Sequence, residues 1–279
     1  LSLLFTQINL MRHPLKRFLV PILLAMGTVA HAQPDSSSGY FHSSDSVKMY
    51  YETRGTGFPV VLVHGFTGTG DSWKRSFLYK DLLNAGYQVI TIDLRGNGKS
   101  DKPHTASAYA NDAEAKDIMG LISQLQIKKY YALGYSRGSI ITARLLVLDN
   151  RLKKGVLGGM GSDFTNPEWP RRIMFYHVLA GDTTVTELES MVKRIEDTGL
   201  DRMALALSQK EQPSTSRREL AKVKIPVLVI CGSEDSDNGS AGELSTLIPG
   251  SIYKTVPGNH GSTSGTQPFS GVVLKFFKK

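Results

Sequence analysis

The feature that most constrains the fold of this chain is an alternation between short apolar runs and longer segments with helical spacing. The predicted strands cover 47–53, 59–63, 87–93, 129–134, 154–158, 227–231 and 251–256, and the predicted helices cover 72–85, 108–125, 137–148, 241–247 and 264–277. Short continuous apolar runs are typical of parallel strands that are buried on both faces. Because the helical crossovers between such strands are right-handed, we predict an α/β fold with a doubly wound, mostly parallel sheet.

The segment 162–223 does not fit this alternation. It contains an amphipathic pattern at Leu188, Met191, Val192 and Ile195, among several other large apolar side chains. We predict a mostly helical insertion that forms a lid over a pocket. Plain packing of these side chains against the sheet is the alternative, and for any single residue both alternatives stay open.

Residues 1–32 carry the pattern of a secretory signal peptide preceded by upstream residues. A basic stretch is followed by twelve apolar residues at 18–29 and by Ala-His-Ala at 30–32, which is typical of a cleavage site. An apolar helix of that length rises only about 18 Å, too short for a hydrocarbon core of roughly 30 Å. We therefore expect a signal at about 11–32, export to the periplasm or the medium, and no stable membrane anchor after cleavage.

The net charge of +8 falls when residues 1–32 are left out of the count. Residues 1–32 hold three basic and no acidic residues, so the rest of the chain has a net charge of +5. No basic stripe is interleaved with aromatic residues, which argues against nucleic acid as a partner. Residues 33–46, rich in Ser, Asp and Gly, are predicted to be a flexible lead before a single domain over 47–279.

Residues 134–138 read Gly-Tyr-Ser-Arg-Gly and stand between a predicted strand and a predicted helix. In that context G-x-S-x-G predicts a sharp turn that exposes the Ser136 hydroxyl. A serine hydroxyl is a weak nucleophile unless a base takes its proton, so the chain must also supply a histidine and an acid.

His260 is the candidate base among the seven histidines. It lies in a Gly-bounded loop after the last predicted strand, and doubly wound sheets build their sites at the carboxyl ends of strands. His64 ends another strand, where we expect its backbone position to matter more than its ring.

Asp235 is the candidate acid, in the loop after the strand at 227–231, with Asp237 and Glu234 as the alternatives. The resulting order along the chain is serine, aspartate, histidine. It differs from the orders of the other two common serine-hydrolase arrangements.

A tetrahedral intermediate also needs hydrogen-bond donors for its oxyanion, usually two backbone N–H groups. We assign one to Arg137, directly after the serine, and the other to Phe66 in the turn at 64–68. The alternative for that turn is an ordinary strand ending. Because both roles use the main chain, we expect the identity of the two side chains to tune the shape and charge of the pocket.

Five blocks in this order make the chain similar to the α/β-hydrolase superfamily over 47–279. They lie at 61–66, 93–100, 134–138, 232–235 and 258–260. The resemblance implies the α/β-hydrolase fold with a helical cap, a serine esterase or lipase-like activity, and structural roles for Asp93 and Arg95. Two positions depart from the pattern: Asn97 stands where a histidine is usual, and Ser139 where many relatives have a second glycine.

The same resemblance bears on the reaction. Relatives that open epoxides or remove halides have an aspartate at the nucleophile position, so Ser136 argues against both reactions. We predict hydrolysis of carboxylic esters of small or medium acyl groups, with no cofactor and no metal. The alternative is hydrolysis of lactones or carbon–carbon bonds by the same triad. A non-catalytic binding module ranks below both because all three triad members are present, and the sequence leaves the oligomeric state open.

Overall fold

Residues 36–279, which the computed structural model describes, form one sheet of eight strands with helices around it. The strands are β1 (Ser36–His42), β2 (Lys48–Arg54), β3 (Pro59–Val63), β4 (Gln88–Ile92), β5 (Tyr130–Tyr135), β6 (Leu152–Gly158), β7 (Val227–Gly232) and β8 (Ile252–Val256). The α-helices are α1 (Asp71–Lys74), α2 (Phe77–Asn84), α3 (Ala113–Gln124), α4 (Arg137–Leu148), α5 (Pro170–Ala180), α6 (Glu189–Asp197), α7 (Arg202–Lys210), α8 (Arg217–Leu220), α9 (Ala241–Thr246) and α10 (Gln267–Lys278). The predicted signal peptide lies outside the described residues. Within them, no helix has the length and apolar character needed to cross a membrane.

The strand order across the sheet is β1-β2-β4-β3-β5-β6-β7-β8. Strands β3 to β8 are parallel, whereas β2 runs antiparallel to both β1 and β4. The predicted doubly wound, mostly parallel sheet is therefore confirmed. From β3 the chain crosses to β4 on one side and later to β5 on the other. Doubly wound sheets bind ligands at such a reversal, beyond the carboxyl ends of the strands.

The central strands are buried on both faces, which explains their continuous apolar runs. Val60 and Leu62 of β3 pack with side chains of α2 and α10, whereas Val61 and Val63 pack with side chains of α3 and α4. Successive side chains of a strand point to opposite faces, so every residue of the run meets a layer of helices. Full burial of each such side chain contributes roughly 1.5–3 kcal/mol.

The prediction of a flexible lead over 33–46 is wrong for residues 36–42, which form the edge strand β1. This strand pairs with β2 along its whole length. The Phe41 side chain is buried, and the rings of Tyr40 and Tyr50 lie 5.2 Å apart. Main-chain pairing requires no apolar side chain at most positions, so a Ser-rich segment completes the sheet although its composition resembles that of a loop.

Two helices are shorter than the apolar spacing predicts. The segment 72–85 is divided into α1 and α2 because the Ser76 hydroxyl caps the second helix by accepting a backbone N–H bond. The segment 108–125 becomes α-helical only at Ala113, after Asp112 adopts a left-handed conformation. Both breaks arise from local backbone geometry, which the spacing of apolar residues does not report.

Residues 162–223, which we call the inserted segment, connect β6 to β7 and carry α5 to α8. This segment is mostly helical, and its large apolar side chains pack in two ways. Leu179 and Ile195 pack among the inserted helices themselves. Phe164 and Trp169 instead pack with side chains of the sheet. The inserted segment is therefore anchored to the sheet at one end and has a small core of its own.

Candidate active site

Ser136 lies at the sharp turn between β5 and α4. Its φ of 55° and ψ of −125° fall where non-glycine residues rarely lie, and its N–H donates to the Gly158 carbonyl at 2.8 Å. A Cβ on Gly134 would lie 2.0 Å from the Gly138 carbonyl oxygen, and a Cβ on Gly138 would lie 2.3 Å from that of Val63. The two glycines therefore permit a turn whose strain is of the order of 1–3 kcal/mol.

Three of the residues singled out by the sequence form a chain of hydrogen bonds. Ser136 Oγ lies 2.9 Å from His260 Nε2, and His260 Nδ1 lies 2.9 Å from Asp235 Oδ2. The Asp235 side chain is 2% exposed and the imidazole is 26% exposed. A carboxylate at Nδ1 favours the tautomer that carries its proton there, which leaves Nε2 free to accept the serine proton.

The loops that carry these side chains are tied together. The Tyr135 hydroxyl donates to the His260 carbonyl oxygen at 2.7 Å, and the Glu234 N–H donates to the Gly258 carbonyl at 3.0 Å. Burial raises the pKa of the Tyr135 phenol, so this hydroxyl stays protonated and remains a donor. Tyr135 occupies the first variable position of G-x-S-x-G, which the sequence analysis did not assign to a role.

Asp237 and Glu234, the alternative acids, are differently placed. Asp237 is exposed, with Oδ2 3.9 Å from Arg171 Nη2, and Glu234 is exposed as well. One possible metal-ligand atom from each of Asp235, Asp237 and His260 lies within 4.8 Å of the others. The 2.9 Å contact between His260 and the buried Asp235 is already a hydrogen bond. The imidazole and the Asp235 carboxylate are thus held together by a direct hydrogen bond.

The lone cysteine, Cys231, is buried beside the acid. Its Sγ lies 3.9 Å from Asp235 Oδ2. Burial and this carboxylate raise the pKa of the thiol to about 12, so it stays protonated and is a poor nucleophile.

The turn after β3 passes beside the serine. A Cβ on Gly65 would lie 3.4 Å from Ser136 Cβ. Within residues 36–279, neither the Phe66 N–H nor the Arg137 N–H donates a hydrogen bond. Both groups are therefore available to a ligand oxygen, as an oxyanion site requires.

Asn97 holds this turn, a role that the sequence analysis missed. The buried Asn97 amide donates from Nδ2 to the carbonyl oxygens of Phe66 at 2.9 Å and Gly68 at 3.2 Å. These bonds orient the two peptide groups of the turn that follow Phe66 and Gly68. The only signal in the sequence was the departure from the family pattern at this position.

His64 also contributes through its ring, although we expected its backbone position to matter more. Its Nε2 accepts the Leu94 N–H at 3.0 Å, and its Nδ1 lies 2.7 Å from the Gly65 carbonyl oxygen. Burial lowers the pKa of this imidazole, which stays neutral with its proton on Nδ1. The ring joins the ends of β3 and β4 beside the site.

The loop after β4 has the structural roles that the resemblance implies. Asp93 accepts backbone N–H bonds from Gly70 at 2.7 Å and Lys99 at 2.8 Å. The buried Arg95 forms ion pairs with Asp45 at 2.8 Å and Asp117 at 2.6 Å. These contacts fix the loop that carries Asn97.

The Arg137 side chain forms a buried ion pair beneath the site. Its Nη1 and Nη2 lie 2.5 Å and 2.6 Å from the two carboxylate oxygens of Glu114, and Nη2 also donates to the Ser208 carbonyl at 2.8 Å. The two side chains are 4% and 1% exposed. The pair joins α4 and α3 to α7 of the inserted segment. Glu114 neutralises the guanidinium, so Arg137 gives the pocket shape and no net charge.

A cavity of about 370 Å³ opens at the serine, which is within the usual range for small-molecule sites. Ser136 and His260 lie in its wall together with the turn after β3. The inserted segment supplies the facing wall, with these residues: Trp169, Arg171, Arg172, Phe175, Met191, Arg194, Gln209 and Gln212. The site thus combines a hydrogen-bonded serine, two free backbone donors and a cavity of small-molecule size.

Comparison with known proteins agrees with this fold. The sequence model of the family described as alpha/beta hydrolase fold matches residues 59–192. A solved bromoperoxidase from Bacillus anthracis superposes with a TM-score of 0.67 at 27% identity, over 87% of this chain and all of that one. The chain belongs to the α/β-hydrolase superfamily.

Two other relatives match a shorter part of the chain. A protein of Synechocystis sp. named "Putative non-heme chloroperoxidase" is 41% identical over 117 residues, which are 41% of each chain. Epoxide hydrolase 3 of Siraitia grosvenorii is 35% identical over 99 residues, which are 36% of this chain and 31% of that one. Each match therefore spans less than half of the relative.

Proposed function

We propose that this protein is an exported serine hydrolase that cleaves carboxylic esters of small or medium acyl groups. The observation that carries the proposal is the chain of hydrogen bonds from Ser136 Oγ through His260 to a buried Asp235, with both links at 2.9 Å. The strained turn at the serine, the free N–H groups and the cavity beside them support the same reaction class.

In the first half of the reaction, Ser136 Oγ attacks the ester carbonyl while His260 Nε2 takes the hydroxyl proton. The carbonyl oxygen becomes an oxyanion that the N–H groups of Phe66 and Arg137 stabilise, each worth a few kcal/mol. Asp235 holds the imidazole and stabilises its cation. His260 then returns the proton to the departing alcohol as the ester C–O bond breaks, and an acyl-enzyme remains.

In the second half, water repeats the sequence against the acyl-enzyme. His260 takes a proton from the water as its oxygen bonds to the carbonyl carbon, and the same two N–H groups hold the oxyanion. When this intermediate collapses, the Ser136 oxygen leaves with the proton from His260. The products are a carboxylic acid and the free serine, and no cofactor takes part.

A lactone or a carbon–carbon bond cleaved by the same triad is the alternative. The relatives named chloroperoxidase and epoxide hydrolase are named for other reactions. A serine at position 136 favours attack on an acyl carbon, since the resemblance assigns epoxide opening to an aspartate nucleophile. Turnover of 4-nitrophenyl esters of increasing chain length, beside simple lactones, separates the ester and lactone alternatives.

A fluorophosphonate probe tests the nucleophile directly. We expect labelling of the wild-type protein and none of Ser136→Ala. Ser264 is the matched control, because it also lines the cavity but has no hydrogen bond to His260, and Ser264→Ala should still be labelled. A protein that is folded but not labelled, or labelling that survives Ser136→Ala, would remove the hydrolase proposal in favour of a binding module.

Export is the second part of the proposal, and it rests on the sequence of residues 11–32. Expression from Met11 should give a protein outside the bacterial cytoplasm whose first residue is Gln33. Retention of the uncleaved chain in the cytoplasm would contradict it. This test is independent of the catalytic one.

A further inference from the structure

We propose that the cavity selects esters that carry a carboxylate, and that arginines of the inserted segment bind this group; the inference rests on the proposed ester hydrolysis. Four arginines line the cavity: Arg137, Arg171, Arg172 and Arg194. The lining residues, all from the described part of the chain, include no aspartate and no glutamate. Because Glu114 neutralises Arg137, the other three arginines set the charge of the cavity.

Arg172 has no carboxylate partner within residues 36–279. Its Nη1 donates to the carbonyl oxygen of Lys210 at 2.7 Å, and its Nη2 donates to that of Pro167. Its Nε is buried and lacks a hydrogen-bond partner among the same residues. The carbonyl oxygens orient the guanidinium without neutralising it, and a buried donor without an acceptor is unfavourable. A bound anion would supply the countercharge that these carbonyl oxygens do not.

Arg171 places a second guanidinium against the Phe175 ring, which packs on Phe66 of the turn after β3. Its Cζ lies 5.0 Å from the centre of the Phe175 ring, which is 5.9 Å from the centre of the Phe66 ring. Asp237 is the single carboxylate within ion-pair distance in the described chain, at 3.9 Å, and both side chains are partly exposed. Such a pair is weak in water, so Arg171 can exchange this partner for a ligand anion.

The positions of Arg171 and Arg172 are unfavourable for the helix that carries them. Arg171 and Arg172 lie in the first turn of α5, which contains no acidic residue. The amino end of a helix has a partial positive charge, which disfavours cations and attracts anions. Arg194 of α6 is exposed and has no ion-pair partner in the described chain. A binding role explains why three cations converge here.

The remaining lining residues indicate the rest of the ligand. Apolar side chains supply much of the cavity: Ile140, Met160, Trp169, Phe175 and Met191. The planar fork of an arginine binds a carboxylate through two parallel hydrogen bonds. The geometry therefore fits an ester with a short apolar chain, in its acyl or its alcohol part, that ends in a carboxylate.

The experiment compares two esters that differ in one charge. 4-Nitrophenyl hydrogen adipate carries a free carboxylate, and its methyl ester is the neutral analogue of similar shape. We expect kcat/KM to favour the anionic ester by about tenfold or more at low ionic strength, and the preference to shrink in about 0.5 M NaCl. The acetate ester of 6-hydroxyhexanoate, against its own methyl ester, tests a carboxylate on the alcohol side.

Variants locate the preference in the inserted segment. Arg172→Gln and Arg194→Gln should each reduce the ratio of anionic to neutral kcat/KM by about three- to tenfold. Arg218→Gln removes the same charge from an exposed position of the inserted segment outside the cavity lining, and it should leave the ratio unchanged. Arg194→Gln keeps the test valid if Arg172→Gln does not fold, since the Arg194 side chain is exposed.

The inference would be overturned if the ratio of anionic to neutral kcat/KM is near one for both the acyl-side and the alcohol-side esters. It would also be overturned if neither Arg172→Gln nor Arg194→Gln changes the preference. Ser136-dependent hydrolysis of the neutral ester would at the same time leave the proposed function standing. If neither ester is hydrolysed, calorimetric titration of Ser136→Ala with adipate still decides the matter. Adipate should bind, and binding should weaken in Arg194→Gln; no binding would refute the anion site.

Discussion

The buried ion pair between Arg137 and Glu114 offers the sharpest test of how the inserted segment is held to the sheet. Arg137→Met removes the guanidinium while keeping a similar length of side chain and the backbone N–H. Glu114 then lies almost fully buried without its partner, and the Ser208 carbonyl loses a donor. The change therefore separates the stability of the site from its main-chain chemistry.

The magnitude follows from the burial of both groups. Breaking a buried ion pair by removing one partner costs about 3–5 kcal/mol, because the remaining charge is uncompensated. At about 2–4 °C per kcal/mol for a domain of this size, Tm should fall by roughly 6–20 °C. Replacing both partners by apolar side chains of similar volume is often close to neutral. The double variant Arg137→Met/Glu114→Met should therefore recover most of the loss.

The assay is urea unfolding of the wild type, both single variants and the double variant, treated as a double-mutant cycle. Turnover of a neutral 4-nitrophenyl ester at a temperature where all four are folded reports on the site. If Arg137→Met costs less than about 1 kcal/mol, or if the double variant loses the sum of the two single losses, the pair is not a coupled buried unit and the reasoning is refuted.

Three further perturbations test the site and its supports. Asp235→Asn should lower ester turnover by up to about 10⁴-fold while Asp237→Asn lowers it by less than about tenfold, and the reverse result in the same rate assay would move the orienting role to Asp237. Gly134→Ala forces a methyl group to within 2.0 Å of a carbonyl oxygen, so it should cost about 1–3 kcal/mol in urea unfolding and most of the activity; wild-type turnover would contradict the close approach. Hydrogen bonds from Arg95 lower the pKa of Asp45 to about 2, so its ionised form stabilises the fold above about pH 4 and that contribution is lost as the pH falls towards 2. The difference in unfolding free energy between wild type and Asp45→Asn should be constant above about pH 5 and shrink below pH 4, and a difference that does not change with pH would exclude the ion pair as its source.

Much of the sheet could be predicted because its strands are buried on both faces. A run such as 59–63 must be apolar throughout when helices cover both sides of the sheet. A continuous apolar run of this length therefore identifies a buried strand. The edge strand β1 has no such apolar run, because pairing with β2 and the buried ring of Phe41 suffice to hold it. The spacing of apolar residues likewise does not reveal the helix cap at Ser76 or the left-handed conformation of Asp112.

The residues that converge at the site could be listed from motifs, because a sharp turn needs glycines at fixed offsets and the carboxyl ends of strands meet at one edge. Which partners hold them could not be listed. Asn97 reaches the turn after β3 across 31 residues of sequence, and Arg137 meets Glu114 across 23. Contacts of that kind depend on how two loops or helices are set against each other, and no local pattern encodes them.

The amino-acid sequence by itself determined the parallel α/β architecture and the nucleophile, base and acid candidates, since burial and tight turns restrict residue types position by position. Only the tertiary structure decided that Asp235 rather than Asp237 contacts His260, at 2.9 Å, and that the inserted segment places three arginines in the wall of the serine's cavity, two of them without an ion-pair partner in the described chain. The physical reason is the same in both cases. Distances between side chains on separate elements, and the charges left without partners there, are fixed by packing and not by neighbours along the chain.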